Sequence, residues 1–585
     1  MNILGLFAPG PNPSAALLVD GKLVAWAEEE RFNRIKTSPN DFPFKASRFC
    51  LEQAGLHLDQ IDAIAYGWDC TRYALEVPIF YEEQYTKYHD TQAYNKLQQA
   101  YRLNLYHPDR IAQTLRLGLR QLSPTNRVPP IHYFSHHLSH AASAFYCSGF
   151  DEAVIVSIDG SGEEISTLLA KGERDGTITE LKHYKLPHSL GGVYATFTEF
   201  LGFTPYMDEG KVTGLASYGS YNQELQDKLD KVLSFDPQTG HYAVNPYMRF
   251  IGAHSYGRRF TDEFVELFGT PRSRTQSALD APYPDIAFAV QWRLEQTVMA
   301  MVQNLIAETG IANVCLAGGV AMNCAMNGKI AQLPAVKRLF VQPAATDNGV
   351  SLGAAMLLAR ANGEDVRWTM RHLYWGPSYS NEHIESVLKK AKVSYRKSAH
   401  LAREVAQLLA DGKIVGWMQG AMELGARALG NRSILASPLY KDMKDKLNLD
   451  VKNREAWRPF CPSIKAESYE RYIPFGSATT DAAFMIVALP VAEQERATIP
   501  SCVHVDGTAR VQRVTKDVNP TFWEVLDEFE RLTGHGILIN TSFNVQGEPT
   551  ICTPQDALRC FFSTGMDALA LGDFLLEKKG APAQP

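Results

Sequence analysis

Short apolar runs separated by glycine and proline turns recur along the chain. Residues 3–7 form one such run, followed by the turn Ala8-Pro-Gly-Pro-Asn-Pro-Ser14 and a second run at 15–19. Asp20-Gly21 then makes a two-residue hairpin turn into 22–26. The same order returns later. Residues 153–158 read as a strand ending at the turn Asp159-Gly-Ser-Gly162, 165–170 as the next strand, and Asp175-Gly176 as a hairpin turn into 177–179. Strand, glycine turn, strand, hairpin, strand thus occurs twice, which points to an internal duplication. Between the repeats, residues 80–125 carry Tyr, Gln, Leu and Arg at helical spacing and predict an inserted helical element. Residues 313–317 predict a strand that runs into Gly318-Gly319 and a helix start, and 351–359 predict a helix. Pro377-Ser-Tyr-Ser380 marks a boundary. Beyond it an amphipathic helix and a strand at 414–417 open a second domain.

The bulk properties narrow the classes. At 585 residues the chain exceeds one hydrophobic core, so two or more domains are expected. With 45% hydrophobic and 21% charged residues its composition is that of a globular protein. A net charge of −6 argues against a nucleic-acid partner. No apolar run approaches the ~20 residues of a membrane span, so no membrane partner is expected. The first residues read as a strand and not as a signal peptide. Nine cysteines, scattered without a Cys-x-x-Cys pair, argue against a disulfide framework and for a reducing cytoplasm.

Three segments carry candidate chemistry. His136 and His140 are spaced i, i+4, which on a helix sets both imidazoles on one face, able to share an ion. His132 lies four residues further back, and spacing alone does not choose the pair. Asp159 and Asp347 each sit at a glycine turn closing a predicted strand, where a carboxylate needs a cation or a cluster of N–H groups. Two His with two Asp form a mixed N/O set suited to Fe(II), Mn(II) or Zn(II). A second segment, Asp208-Glu-Gly-Lys211-Val-Thr-Gly214, places a lysine between glycines, a common way to meet a phosphate, against the plainer reading of a surface turn. The third is 420–463. There Arg427, Asn431, Arg432, Lys446, Lys452, Arg454 and Arg458 alternate with Gly, Asn, Trp and Pro-Phe instead of forming a polar block. Glycines admit close backbone approach and guanidiniums fork onto phosphate oxygens, so the segment predicts a nucleotide or phosphoanhydride pocket.

Taken in order, these segments resemble the O-carbamoyltransferases of antibiotic, toxin and nodulation-factor biosynthesis (the NodU/CmcH type) over nearly the whole length. The resemblance rests on residues 27–36 (Ala-Glu-Glu-Glu-Arg-Phe-Asn-Arg-Ile-Lys), His136-x3-His140, Asp159-Gly160, Glu209-Gly-Lys211-x2-Gly214, 317–323 and Asp347-x-Gly349. It continues through 420–463, 504–512 and Asn540-Thr-Ser-Phe-Asn544-Val-Gln546-Gly-Glu-Pro549. It implies an α/β protein of two domains. Residues 1–375 would be a two-lobed actin-like ATPase (ASKHA) domain similar to threonylcarbamoyl-transferring TsaD. Residues 376–585 would be similar to YrdC-type carbamoyl-adenylate-forming proteins. It also implies an iron, Fe(II) or another divalent metal, on His136, His140, Asp159 and Asp347.

On this reading the second domain binds carbamoyl phosphate and ATP with Mg(II), through Arg427, Arg432, Lys446, Lys452, Arg454, Arg458 and Arg510, with Asn431, Asn540 and Asn544 lining the site. Lys211, Gly214, Gly318, Gly319 and Asn323 hold the nucleotide end in the first domain, where a small-molecule hydroxyl accepts the carbamoyl group. The alternatives are a small-molecule kinase of the actin-like superfamily and a nucleotide-sensing scaffold. Two departures stand out: Gly10-Pro11-Asn12 where relatives carry Gly-His-Asp, and Gln546 where many carry Arg. Tyrosines 85, 88, 94, 101 and 106 in the insertion are candidates for an acceptor wall or plain helix packing. The acceptor itself is not encoded in any motif, nor is the oligomeric state, a homodimer being one option.

Overall fold

A computed structural model describes residues 1–578 apart from 9, 40, 103–106, 252–256, 476–479 and 481. The chain divides into two compact units. The first comprises Met1–Glu29 and Ser38–Met370, the second Glu30–Thr37 and Arg371–Pro585. The passage at 370/371 lies a few residues before the boundary read from Pro377, and a short N-terminal segment groups with the C-terminal unit.

In the first unit, β1 (Asn2–Phe7), β2 (Ser14–Val19) and β3 (Lys22–Glu28) form an antiparallel meander. To this β4 (Ala63–Tyr66) and β5 (Ile131–Tyr133) are added parallel, giving the order β3-β2-β1-β4-β5. Asp20 and Gly21, at φ 48° and 73°, make the positive-φ hairpin that their sequence predicts. A second sheet repeats the plan. Its strands are β6 (Ala153–Gly162), β7 (Ile165–Gly172), β8 (Ile178–Lys185), β11 (Asn313–Ala317) and β12 (Arg338–Val341), in the order β12-β11-β6-β7-β8. The small hairpin β9 (Leu233–Phe235) and β10 (Tyr242–Val244) stands apart. The duplication therefore extends to five strands per lobe.

Two buried helices join the lobes. His136–Phe145 follows β5 of the first sheet and packs on β6, β7 and β11 of the second. Val350–Ala361 follows β12 and packs on β1, β2 and β4 of the first. They touch each other closely: a Cβ on Gly353 would stand 1.8 Å from the Ser139 carbonyl oxygen. One local expectation is corrected. Asp159–Gly162, read as a turn, continues β6, with a register shift against β7 between Ile158 and Gly162. The chain reverses at Glu163-Glu164 instead, Glu163 taking φ 36°. The insertion is helical as expected and starts earlier, as Cys70–Tyr88, Thr91–Arg102 and Pro108–Leu119.

The second unit is built on a mixed sheet. Its strands are β13 (Arg396–Lys397), β14 (Val415–Met418), β15 (Arg432–Ala436), β16 (Cys461–Lys465), β19 (Gln512–Val514), β20 (Ile537–Ser542), β21 (Ala568–Leu571) and β22 (Phe574–Glu577). They run β13-β22-β21-β14-β15-β20-β16-β19. β17 (Ala488–Pro490) and β18 (Thr508–Arg510) pair separately. The central strands β14, β15 and β21 are buried throughout, as strands covered on both faces must be. Helices Leu401–Ala410 and Pro520–Thr533 supply Val405, Leu409, Phe522 and Phe529 to the core around Trp417 and Leu538.

Candidate metal centre and anion-binding cluster

Four donors converge in the first unit. His136 and His140 project from the N-terminal turns of the first joining helix, Asp159 from the far end of β6, and Asp347 from the turn leading into Val350–Ala361. One ligand atom from each lies within 4.8 Å of every other. The two Nε2 atoms are 3.1 Å apart, His140 Nε2 is 3.1 Å from Asp159 Oδ2, and His136 Nε2 is 3.5 Å from Asp347 Oδ1. Donors ~2.1 Å from one ion at tetrahedral angles stand roughly 3.4 Å apart, so the cage has the size of a divalent metal site. Both imidazoles are fully buried.

The electrostatics agree with the geometry. Burial works against a charge on His136, yet the Asp159 and Asp347 carboxylates outweigh it and raise its pKa to about 10. Asp159 is held well below the usual carboxylate range by the two histidines, against the opposing effect of burial. Two carboxylates, one buried and one partly buried, beside two buried imidazoles call for positive charge, and a divalent ion supplies it in a form a proton cannot. The N/O donor set suits Fe(II), Mn(II) or Zn(II).

The alternative pairing through His132 falls away, because His132 is exposed on β5. His137 is buried but occupied: its ring nitrogens meet Ser157 Oγ at 2.9 Å and the Ile165 carbonyl at 3.1 Å. Glu163 escaped the sequence reading. It accepts the backbone N–H of His136 (3.1 Å) and of Asp69 (2.7 Å), and burial pushes its carboxyl up to about 7. Gly162 is required here, since a Cβ there would stand 2.4 Å from His136 Cδ2. The departing turn lies against the same site, a Cβ on Gly10 coming 3.5 Å from Asp347 Oδ2.

The residues assigned to the nucleotide end have other occupations. Gly318, at φ 83°, lets the chain pass the Ile158 carbonyl, and Gly319 lies against Asp159 Oδ1. They seat the carboxylate strand. Asn323 caps the helix Cys324–Ala331 through the Met326 N–H, and its amide is doubly bonded to Gln291 at 2.8 and 3.0 Å. Lys211 and Gly214 lie in the helix Glu209–Ala216 and not in a glycine turn. The Lys211 ammonium is 3.4 Å from Asp208 and 5.6 Å from the Phe203 ring centre.

In the second unit the basic segment separates into struts and a cluster. Arg432, fully buried, donates to the carbonyls of Gln419 (2.7 Å), Gly420 (3.2 Å), Asn431 (2.9 Å) and Pro377 (2.8 Å). Glu423 accepts the N–H groups of Leu429, Asn431 and Arg432. The Asn431 amide bonds the Ala421 carbonyl and Asn519. These groups shape the glycine loop from within, so the expectation that Arg432 meets phosphate is corrected. Lys446 is corrected too: it is exposed and paired with Asp442 at 2.7 Å. Arg427 is half-buried in the same loop. Asn540 is buried in the sheet, bonded to Ser463 and Gln512.

The remaining cations press on one another. Burial, then the Arg458 charge, lowers Arg454 to about 9, with Arg510 adding to the effect. Lys452 is depressed by burial and by the charges of Arg454, Arg458 and Lys36. Its ammonium bonds the Asn544 carbonyl (3.0 Å), Asn544 Oδ1 (2.9 Å) and the Ser542 carbonyl, fastening the loop that carries exposed Gln546. Arg454 donates to Asn448 Oδ1 at 2.7 Å and covers the Phe460 ring at 4.4 Å, while Arg510 Nε meets Cys461 Sγ at 3.1 Å. Like charges gathered at partial burial make this cluster a candidate site for an anion.

Residues 3–356 match the family described as carbamoyltransferase N-terminus, and 406–578 match carbamoyltransferase C-terminus. The chain belongs to the carbamoyltransferase family. It is an enzyme of that transferase class. Among its relatives is the nodulation protein NolNO of Sinorhizobium fredii, 35% identical over 97% of this chain and 79% of the relative. A Synechocystis protein, sll1178, is 36% identical over 99% and 97%. The 3'-hydroxymethylcephem-O-carbamoyltransferase of Amycolatopsis lactamdurans is 33% identical over 44% and 47%. The solved full-length HypF in its phosphate- and nucleotide-bound form matches 63% of this chain and 56% of its own at 11% identity, with a TM-score of 0.32, too low to carry weight. No helix among the described residues of this carbamoyltransferase is long and apolar enough to cross a membrane.

The segment 30–37 is the carbamoyltransferase feature that local pattern alone could not assign. Arg31 donates to the Gly425 carbonyl (2.6 Å), and Arg34 to those of Thr550 (2.7 Å) and Pro549 (2.9 Å). With Lys36 bearing on Lys452, this segment is built into the cation cluster.

Proposed function

We propose that the protein transfers a carbamoyl group from carbamoyl phosphate, through carbamoyl-adenylate, to a hydroxyl of a small molecule at the expense of ATP. The observation that carries this reading is the convergence of His136, His140, Asp159 and Asp347 on one point in a carbamoyltransferase chain that also holds a separate cation cluster. A hydroxyl acceptor is carried over from the relative named for O-carbamoylation of a hydroxymethylcephem.

A carbamoyl carbonyl resists attack because its nitrogen donates into it, so the group needs a good leaving partner. In the second unit, Arg454, Arg458, Arg510 and Lys36 gather the carbamoyl phosphate and ATP phosphates, with Mg(II) accompanying the ATP. Water cleaves carbamoyl phosphate to carbamate and inorganic phosphate. A carbamate oxygen then bonds the α-phosphorus of ATP and pyrophosphate leaves. The guanidiniums meet charge as it develops on the phosphoryl oxygens. In the first unit the acceptor hydroxyl oxygen bonds the carbamoyl carbon as its proton passes to water, the carbon–oxygen bond to AMP breaks, and AMP departs with the electron pair. His136, His140, Asp159 and Asp347 would hold an Fe(II) or another divalent ion, which supplies a Lewis acid for the carbonyl. Buried Glu163 fixes the helix terminus that presents His136.

Incubation with ATP and carbamoyl phosphate tests the reading directly. AMP with pyrophosphate and inorganic phosphate is expected. ADP as the sole nucleotide product would instead make the protein a kinase of the same superfamily.

A further inference from the structure

Among the described residues the first unit buries four arginines, and two of them spend their terminal nitrogens on neighbours. Arg293, 2% exposed, bonds Asp230, the Leu233 carbonyl and both the carbonyl and side chain of Gln226. Arg272 bonds the carbonyls of Leu201, Ser273 and Gln276. Arg249 and Arg259 differ. Arg249, 4% exposed, makes one hydrogen bond, from Nε to Thr196 Oγ1 at 3.2 Å, and its buried Nη1 has no partner. Arg259, 2% exposed, gives Nη1 to Glu199 at 3.3 Å, while its buried Nε and Nη2 have none. Arg293 and the strut Arg432 leave only Nε without a partner, whereas Arg249 and Arg259 each leave a terminal fork nitrogen idle, and a buried unpaired N–H costs free energy.

Their position gives these idle donors a use. A Cβ on Gly192 would stand 2.5 Å from Arg249 Nη2, and one on neighbouring Gly191 would stand 2.7 Å from the Asp159 carbonyl oxygen. The Arg259 guanidinium lies 5.0 Å from the Tyr206 ring centre, and that ring approaches Gly160, the residue after Asp159, at 3.4 Å from its Cβ position. Both forks thus lie one glycine or one ring from a metal-centre ligand. On the other side they meet the helical insertion: Tyr88 packs edge-on against Tyr247 at 5.2 Å, two residues before Arg249. Tyr206 and Tyr247 are half exposed, which opens this corner to solvent.

Resting on the transfer reading above, we propose that Arg249 and Arg259 bind an oxyanion carried by the acceptor. The acceptor is therefore a hydroxylated small molecule bearing a carboxylate or phosphate, with its anion on the two forks and its hydroxyl toward the metal centre. Burial lowers Arg249 to about 10, and an incoming anion reverses that penalty. Tyr85, Tyr88 and Tyr94 of the insertion flank the body of the acceptor, while the side chains of Tyr101 and Tyr106 lie outside the described residues.

The test is a product assay by mass spectrometry with ATP, carbamoyl phosphate and a panel of hydroxy acids and sugar phosphates. Each is paired with its methyl ester or dephosphorylated counterpart. Carbamoylated product is expected from anionic members, with kcat/KM at least tenfold above their neutral partners. R249Q and R259Q should raise the acceptor KM roughly 10- to 100-fold, with kcat, metal content and AMP affinity unchanged. R249K, which keeps the charge but not the fork, should fall between. Equal use of neutral partners by the wild-type protein overturns the proposal, as does a panel with no anionic product. A comparable loss of AMP affinity in R249Q also overturns it, assigning the forks to the adenylate phosphate. If the wild-type protein makes no AMP, the donor reading fails by itself. The paired panel with carbamoyl phosphate alone then decides the anion preference in the same way.

Discussion

The two candidate sites are electrostatic opposites. In the first unit, two carboxylates stand against two buried imidazoles, and the cage has the dimensions of a single ion. In the second, arginines and lysines crowd one another, depressing Arg454 and Lys452. A site that must hold one ion for many turnovers is closed and stereochemically exact, with donors 3 to 4 Å apart. A site that must admit and release several phosphates relies on excess charge distributed over longer distances. The difference teaches that charge gathered beside like charge is the better mark of a candidate site here than charge as such. Arg432 is the counterexample, a cation in the richest motif whose fork is spent on backbone carbonyls.

This contrast can be broken in stages. The largest effect is expected from His140→Ala: metal content falls to background by elemental analysis and carbamoyl product falls about 10³-fold, while AMP still forms. Arg454→Ala is the mirror, with AMP and pyrophosphate production lower by about 10²-fold or more and the metal retained. Loss of metal from that variant would erase the separation. Gly162→Ala pushes a methyl into the His136 ring and should weaken metal affinity roughly tenfold or more, read by competition with a chelator.

The proton sharpens the comparison further. His136 in the chelated protein has its pKa raised from 6.5 to about 10, so the imidazolium stabilises that form. That contribution is complete below about 6.5 and is lost as pH rises through about 10. Thermal stability of the chelated protein should decline across this window by roughly 1–3 kcal/mol, and the metal-loaded protein should not follow. The smallest effect belongs to Lys446→Ala. Its exposed pair with Asp442 predicts less than twofold change in activity and under ~0.5 kcal/mol in stability.

What could be read ahead of the structure depended on range. His136 and His140 were legible because i, i+4 spacing fixes a helix face, and Asp159 and Asp347 because a carboxylate closing an apolar strand demands a partner. The duplication was legible only through its hairpins. The parallel strands β4, β5, β11 and β12 are short apolar segments whose pairing depends on residues far away. Arg432 and Arg454 look alike in sequence, since each directly follows an asparagine, and only burial among carbonyls distinguishes strut from candidate site. The bonds from Arg31 and Arg34 span 394 and 516 residues, beyond the reach of any periodicity.

Those long bonds bear on how the protein is made. Residues 30–37 leave the ribosome ahead of Gly425, Pro549 and Thr550, whose carbonyls they serve from 394 to 516 residues away. Folding of the second unit therefore finishes only after Thr550 has been translated. A gene fragment starting at Arg371 encodes a unit lacking its earliest-synthesised piece. Supplying the 30–37 peptide in trans would be the way to make that fragment whole.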